Sequence, residues 1–165
     1  MLNRKKNNKG FTLVELLVVI AIIGILAVVA VPALFKNIEK GKIADLEADI
    51  SAIRSAALSV YADTSEMPTG AIYANGSVQA SSKIGAELEG LSNPFGGTYT
   101  TELKNNNNTL VLKIDVTKGI SKDGSKKLAS DLGDKYVTAD LKQISPESAQ
   151  PISSNTSVYV KLMEK

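Results

Sequence analysis

The polarity of this chain shifts sharply along its first seventy residues. MLNRKKNNKG, the opening ten, is basic and polar. From Phe11 to Phe35 the sequence reads FTLVELLVVIAIIGILAVVAVPALF, with no charge between Leu16 and Phe35. At about 1.5 Å per residue, a helix of that length crosses a hydrocarbon core of about 30 Å. Apolar residues then recur at Ile43, Leu46, Ile50, Ile53, Ala57 and Val60, the three- and four-residue spacing of one helix face. Lys42, Asp45, Glu47, Asp49 and Arg54 mostly take the other faces. Met67-Pro68-Thr69-Gly70 supplies a stop. The pattern predicts one helix over roughly residues 11–65, about 80 Å long if unbroken, with a weak point at Gly41. Its first half has no polar face, and its second half is amphipathic.

The rest, residues 68–165, reads as an α+β head. The stretch 71–82 is small and polar and predicts a surface loop. Ser82–Leu91 reads as a short helix, and Asn93-Pro94 with Gly96-Gly97 as a turn. Thr98–Leu103 and Thr109–Val116 read as a hairpin around Asn105–Asn108, with Leu110, Leu112, Ile114 and Val116 on one face. Ser125–Leu132 predicts a helix ended by Gly133, Tyr136–Leu141 a strand, and Ser145–Ser154 a loop holding Pro146 and Pro151. In the last strand, Ser157–Met163, Val158, Val160 and Leu162 alternate against Tyr159, Lys161 and Met163. The expected fold is a long N-terminal helix packed on a small, mostly antiparallel sheet. The second half of the helix can dock on this head. The first half is too long for a domain of about 100 residues to cover, so it needs lipid or copies of itself.

Charge changes this picture little. The net charge of +2 comes from Arg4, Lys5, Lys6 and Lys9; without them 15 basic residues face 17 acidic ones. No basic stripe interleaved with aromatics predicts a nucleic-acid interface. The chain has no Cys, His or Trp, which removes thiol and His-based catalysis, the usual zinc sites and disulfide staples. No catalytic constellation or cofactor motif is present, so an enzyme is not predicted. Asp123-Gly124-Ser125 and Asp131-Leu132-Gly133-Asp134 lack the ligand spacing of a calcium loop and read as solvated turns. Three Asn-x-Ser/Thr triplets, at Asn75, Asn107 and Asn155, read as turn chemistry.

Glu15 is the informative residue. A carboxylate inside an apolar helix costs a few kcal/mol on insertion scales, so it marks function by default. The four preceding positive charges keep the N-terminus on the cytoplasmic side. Three readings compete: a secretory signal peptide, a plain membrane anchor, and a subunit cut after Gly10. The apolar run is longer than a signal peptide needs, and its best small-residue site, Val28-Val29-Ala30, is soon followed by Pro32. A cut after Gly10 would give Phe11 a charged amine four residues from Glu15, and the two would neutralise each other in lipid.

Lys9-Gly10-Phe11-Thr12-Leu13-Val14-Glu15, followed by apolar or small residues through Val29, resembles the processing and methylation signature of type IV prepilins. The resemblance extends more loosely to Pro32 and the following helix, and is closer to cysteine-free clostridial pilins than to disulfide-looped ones. It implies that residues 1–10 are a leader removed after Gly10 by a prepilin peptidase, and that Phe11 becomes the N-methylated first residue. It implies that Glu15 pairs with the Phe11 amine of an adjacent subunit, and that the helix loosens between Gly24 and Pro32. The segments would then be a filament-core half at 11–35, an amphipathic half at 36–67 and a head at 68–165. The implied protein is a structural subunit, held in the membrane and then placed by an assembly machinery into a helical homopolymer on the cell surface. Adhesion, motility, aggregation and DNA uptake are the uses this implies. A pseudopilin of a type II-like secretion or competence system is the alternative. No cofactor is implied, and no metal site is assigned, although the resemblance to pseudopilins, which carry calcium in this general region, leaves calcium as an alternative.

Overall fold

The computed structural model describes residues 10–79, 82–88 and 90–165; the leader expected over residues 1–10 lies outside them except for Gly10. The chain forms two compact units, one ending at Ile38 and one running Glu39–Lys165. The first α-helix, α1 (Leu13–Thr64), contributes its early part to the first unit and the remainder to the second. Its observed limits lie close to those expected.

In the second unit, a six-stranded antiparallel sheet packs on α1. The strands are β1 (Gly70–Ala74), β2 (Ser77–Val78), β3 (Tyr99–Lys104), β4 (Thr109–Val116), β5 (Tyr136–Val137) and β6 (Thr156–Glu164), in the order β2-β1-β3-β4-β6-β5. A second helix, α2 (Lys122–Leu132), precedes β5. The predicted α1 face is the one that docks: Ile43, Leu46, Ile50, Ile53, Ala57 and Val60 are buried, joined by Ala56. They meet Ile72, Tyr99, Leu110, Leu112, Ile114, Val158, Val160 and Leu162 from the sheet. Each fully buried Leu, Ile or Val stabilises the fold by roughly 1.5–3 kcal/mol relative to exposure. One polar tie crosses this core, where the Tyr99 hydroxyl donates to Asp49 Oδ2 at 2.8 Å. Burial and the adjacent Asp49 charge both push the Tyr99 hydroxyl pKa upward.

The hairpin of β3 and β4 forms in the expected place, from Tyr99↔Ile114 to Lys104↔Thr109. Asn105, Asn106 and Asn107 all take positive φ, between 51° and 66°, and asparagine tolerates that left-handed conformation better than most residues. The turn before β3 is tight for a different reason. A Cβ on Gly97 (φ 93°) would lie 2.1 Å from the Asp115 carbonyl oxygen, so only glycine fits. Asp115 then accepts bonds from Thr98 Oγ1 at 2.7 Å and Ser157 Oγ at 2.6 Å, joining the residue just before β3 to β4 and β6.

Four expectations need correction. The stretch 71–82 is not a loop: it holds most of β1 and all of β2, joined at Asn75-Gly76, whose φ values of 54° and 78° suit a two-residue hairpin turn. Ile72 is fully buried and the Tyr73 ring lies 5.9 Å from that of Tyr99, so one anchor and the edge of β3 suffice. Ser82–Leu91 is not an α-helix but carries a single 3-10 turn, Gly85–Glu87. Ile84 and Leu91 are its buried anchors, and Gly85 sits against the backbone of Gln79, where a side chain would clash. The strand expected over Tyr136–Leu141 stops after Val137, because the chain turns at Thr138–Leu141 and brings Gln143 back beside Val137. Finally, α2 starts at Lys122, three residues earlier than expected, because Ser121 caps it by accepting the Gly124 N–H at 3.1 Å.

One acid in the α1–α2 contact gives the head a pH dependence. Glu47 lies 4.0 Å from Lys127, which also pairs with Asp131. Burial, followed by the hydrogen bond and charge of Asp131, raises its pKa from 4.5 to about 7 against the opposing pull of Lys127. Between those values the unfolded chain releases this proton first, so rising pH favours unfolding. Glu47→Gln should therefore raise the melting temperature of the head by a few degrees at pH 8, with the gain vanishing near pH 4.5. Thermal melts of the full chain in detergent across that range check this, and parallel profiles for the two proteins would contradict it.

Candidate functional site

Gly10 and Phe11 precede α1, and Phe11 is 95% exposed. Thr12 is the residue just before the helix, and Glu15 stands in its first turn. The Thr12 N–H and the Thr12 hydroxyl each donate to Glu15 Oε2 at 2.8 Å. In return, the Glu15 N–H donates to Thr12 Oγ1 at 3.2 Å, and the Leu16 N–H reaches the Thr12 carbonyl at 3.3 Å. These are the reciprocal bonds of a capping box, which satisfies helix-start donors that otherwise lack partners.

The arrangement folds the Glu15 side chain back along the helix, toward the chain start. Only Oε2 is engaged among the described residues, which leaves Oε1 able to accept from a cation arriving at the helix end. A negative group in the first turn is also favoured by the helix dipole. The partner expected for Glu15 is the Phe11 amine that cleavage would create; in the uncut chain the carboxylate is held by Thr12, which the expectation did not include. The signal was present as Thr12-Leu13-Val14-Glu15, a Ser/Thr-x-x-Glu pattern immediately before an apolar run.

The remaining expected site residues lie along the same helix and are not brought to this point. Gly24 and Pro32 follow Glu15 by about 14 and 26 Å along the axis. A Cβ on Gly24 would meet nothing within 4 Å. Large apolar side chains from Leu13 to Phe35 are all exposed, from 47% at Val31 to 87% at Leu13. This stretch is long and apolar enough to cross a membrane. Among the described residues no group of three or more acidic, His or Cys side chains is placed to hold a metal ion.

A family model described as a prokaryotic N-terminal methylation motif matches residues 5–31, and one described as PilW, C-terminal, matches residues 37–111. The type IV major alpha-pilin of Moraxella bovis is 33% identical over 129 residues, covering 70% of this chain and 81% of that protein. The type II secretion system core protein G of Klebsiella michiganensis is 42% identical over 66 residues, covering 40% of this chain and 46% of that protein. Among solved structures, the major type IV pilin PilA1 from Clostridium difficile is similar with a TM-score of 0.58 at 32% identity. That match covers 78% of this chain and 98% of the other.

Thr12→Val deletes the hydroxyl on which two of the Thr12–Glu15 bonds depend. Loss of a helix cap costs about 1 kcal/mol, so the amides of Leu13–Leu16 should exchange with solvent roughly fivefold faster in detergent micelles, where 1.4 kcal/mol corresponds to tenfold. Unchanged exchange would mean that the cap does not hold the helix start.

Proposed function

We propose, from the premise that this chain belongs to the type IV pilin family, that it is the subunit of a helical surface filament assembled through the first half of α1. The observation that carries this reading is the contrast along one helix. The apolar face from Ile43 to Val60 is buried in a folded head, whereas the apolar side chains from Leu13 to Phe35 are exposed. An apolar surface of that size is kept from water by lipid before assembly and by identical neighbours afterwards.

A prepilin peptidase cuts between Gly10 and Phe11, and the new Phe11 amine is methylated. The amine of one subunit then meets Glu15 of the next, whose Oε1 is not taken up by the Thr12 bonds. In a low-dielectric filament core this pairing removes two isolated charges at once. The capping bonds from Thr12 hold the carboxylate in place meanwhile. Repeating the contact head-to-tail gives an open helix rather than a closed ring. Gly24 and Pro32 let the helix loosen between them, since Pro32 lacks a backbone donor and glycine is a weak helix former. The chain is thus a single-pass membrane protein first and part of an extracellular pilus later, moved between them by an assembly machinery. No catalytic role is proposed.

The match to core protein G favours a second reading, a pseudopilin. That match spans 66 residues, against 129 for the Moraxella bovis pilin, which reaches well into the head. Electron microscopy of cells labelled with antibody to the head separates the two, with long labelled fibres expected for a pilin.

The same images test Glu15. Glu15→Ala leaves an incoming amine unpaired, which costs at least about 1.4 kcal/mol per added subunit, a factor of about ten. Fibres should become at least about tenfold rarer while the chain remains in the membrane fraction. Normal fibres from Glu15→Ala would remove the pairing from the mechanism. Gly10→Val should leave most of the chain as uncut precursor, and normal processing of that variant would count against the assigned cleavage point.

A further inference from the structure

Glu39 does something that the assembly mechanism does not use. Its carboxylate spans two donors of one residue: Oε1 accepts from the Ser121 N–H at 2.6 Å and Oε2 from the Ser121 hydroxyl at 2.6 Å. Ser121 is the cap of α2, so its hydroxyl also accepts from the Gly124 N–H at 3.1 Å. One acid on α1 thus completes the start of a second helix eighty-two residues away in sequence. The fit is close. A Cβ on Gly124 would lie 2.9 Å from Glu39 Oε1 and 2.9 Å from Ile43 Cδ1. Hydrogen bonds to an ionised acceptor are shorter and stronger than neutral ones.

The position of this contact matters more than its strength. A helix in a protein owes most of its stability to tertiary packing. From Ala33 through Ile38 no residue of α1 is buried, and the first buried one is Ile43. Pro32 is where the hydrogen-bond ladder is already broken. Unwinding that starts there meets no buried side chain before Glu39. Beyond Glu39 stands Gly41, the next weak helix former, and then the core.

We propose that Glu39 and Ser121 form a latch that ends the deformable part of α1. Unwinding begun at Pro32, during assembly or under pull, stops at Glu39 and does not pass Gly41 into the head. Without the latch the unwinding front would reach Ile43, strip the packing of α2 and loosen the head from its stem. The assembly half of this inference rests on the filament reading; the latch itself does not.

Hydrogen exchange on the full, unassembled chain in detergent micelles tests the latch. Glu39→Gln and Ser121→Ala should each speed exchange of amides 40–46 by about tenfold, the loss expected for one charge-assisted bond, with β4 and β6 unchanged. Ser121→Thr, which keeps the capping hydroxyl, should restore slow exchange. Gly124→Ala should behave like Glu39→Gln, although alanine favours an isolated helix. No change at 40–46, an equal rise throughout the head, or failure of Ser121→Thr to restore would each overturn the latch. In single-filament pulling, Glu39→Gln fibres should lengthen more than native ones at equal load, and equal lengths would overturn the role under tension. If the chain forms no filaments, the filament reading fails while the exchange result still decides the latch.

Discussion

A helix with no polar face has to be covered, and this requirement organises the whole chain. Between Leu13 and Phe35 every large apolar side chain is exposed, and the only solvents that suit it are lipid and more of the same helix. One charge interrupts the run. Glu15 is affordable there because the Thr12 N–H and hydroxyl meet its carboxylate at the helix start. In the proposed function, membrane storage, polymerisation and the placing of a single acid are three responses to that one constraint.

The head solves a separate problem, which is to hold the second half of α1 without disulfides. It does so with one apolar stripe, Ile43 to Val60, and two polar ties at defined points: Glu39 to Ser121 and Asp49 to Tyr99. The C-terminal segment is secured by its place in the sheet. β6 lies between β4 and β5 and pairs with β4 from Thr109↔Glu164 to Val116↔Thr156. Its end is tied again where the Lys165 N–H donates to the Asn108 carbonyl at 2.9 Å. A long strand paired on both sides thus supplies the constraint that a covalent bridge would supply.

What was legible in the sequence was periodic. The helix stripe at Ile43–Val60 and the alternation in β4 and β6 each repeat often enough to announce a face, and all three stand where expected. What was hidden depends on single anchors. β1 has only Ile72 to bury, and its strand character comes from β3 alongside, so local composition reads as a loop even though Asn75-Gly76 is a strong hairpin signal. Ser82–Leu91 has helix-like spacing, but Gly85 and the nearby Gln79 backbone leave room for only one tight turn. Strand order is not encoded locally at all: β4 pairs with both β3 and β6, across separations of a few and of dozens of residues. At the helix start, Gly10, Phe11 and Glu15 stand out through the resemblance, Thr12 is marked only as the start of a Ser/Thr-x-x-Glu pattern, and nothing in the sequence pattern marks Glu39. Their roles lie in hydrogen bonds, which leave no period to read.

Everything proposed for the first half of α1 depends on a new chain start at Phe11, because only a free amine there gives Glu15 a charged partner. Intact-mass and N-terminal fragment analysis of the protein sheared from cell surfaces measures this directly. The account predicts a chain that begins at Phe11 and carries one added methyl group on its terminal nitrogen. A surface protein that still begins at Met1, or that begins at Phe11 with a blocked, uncharged amine, would contradict it.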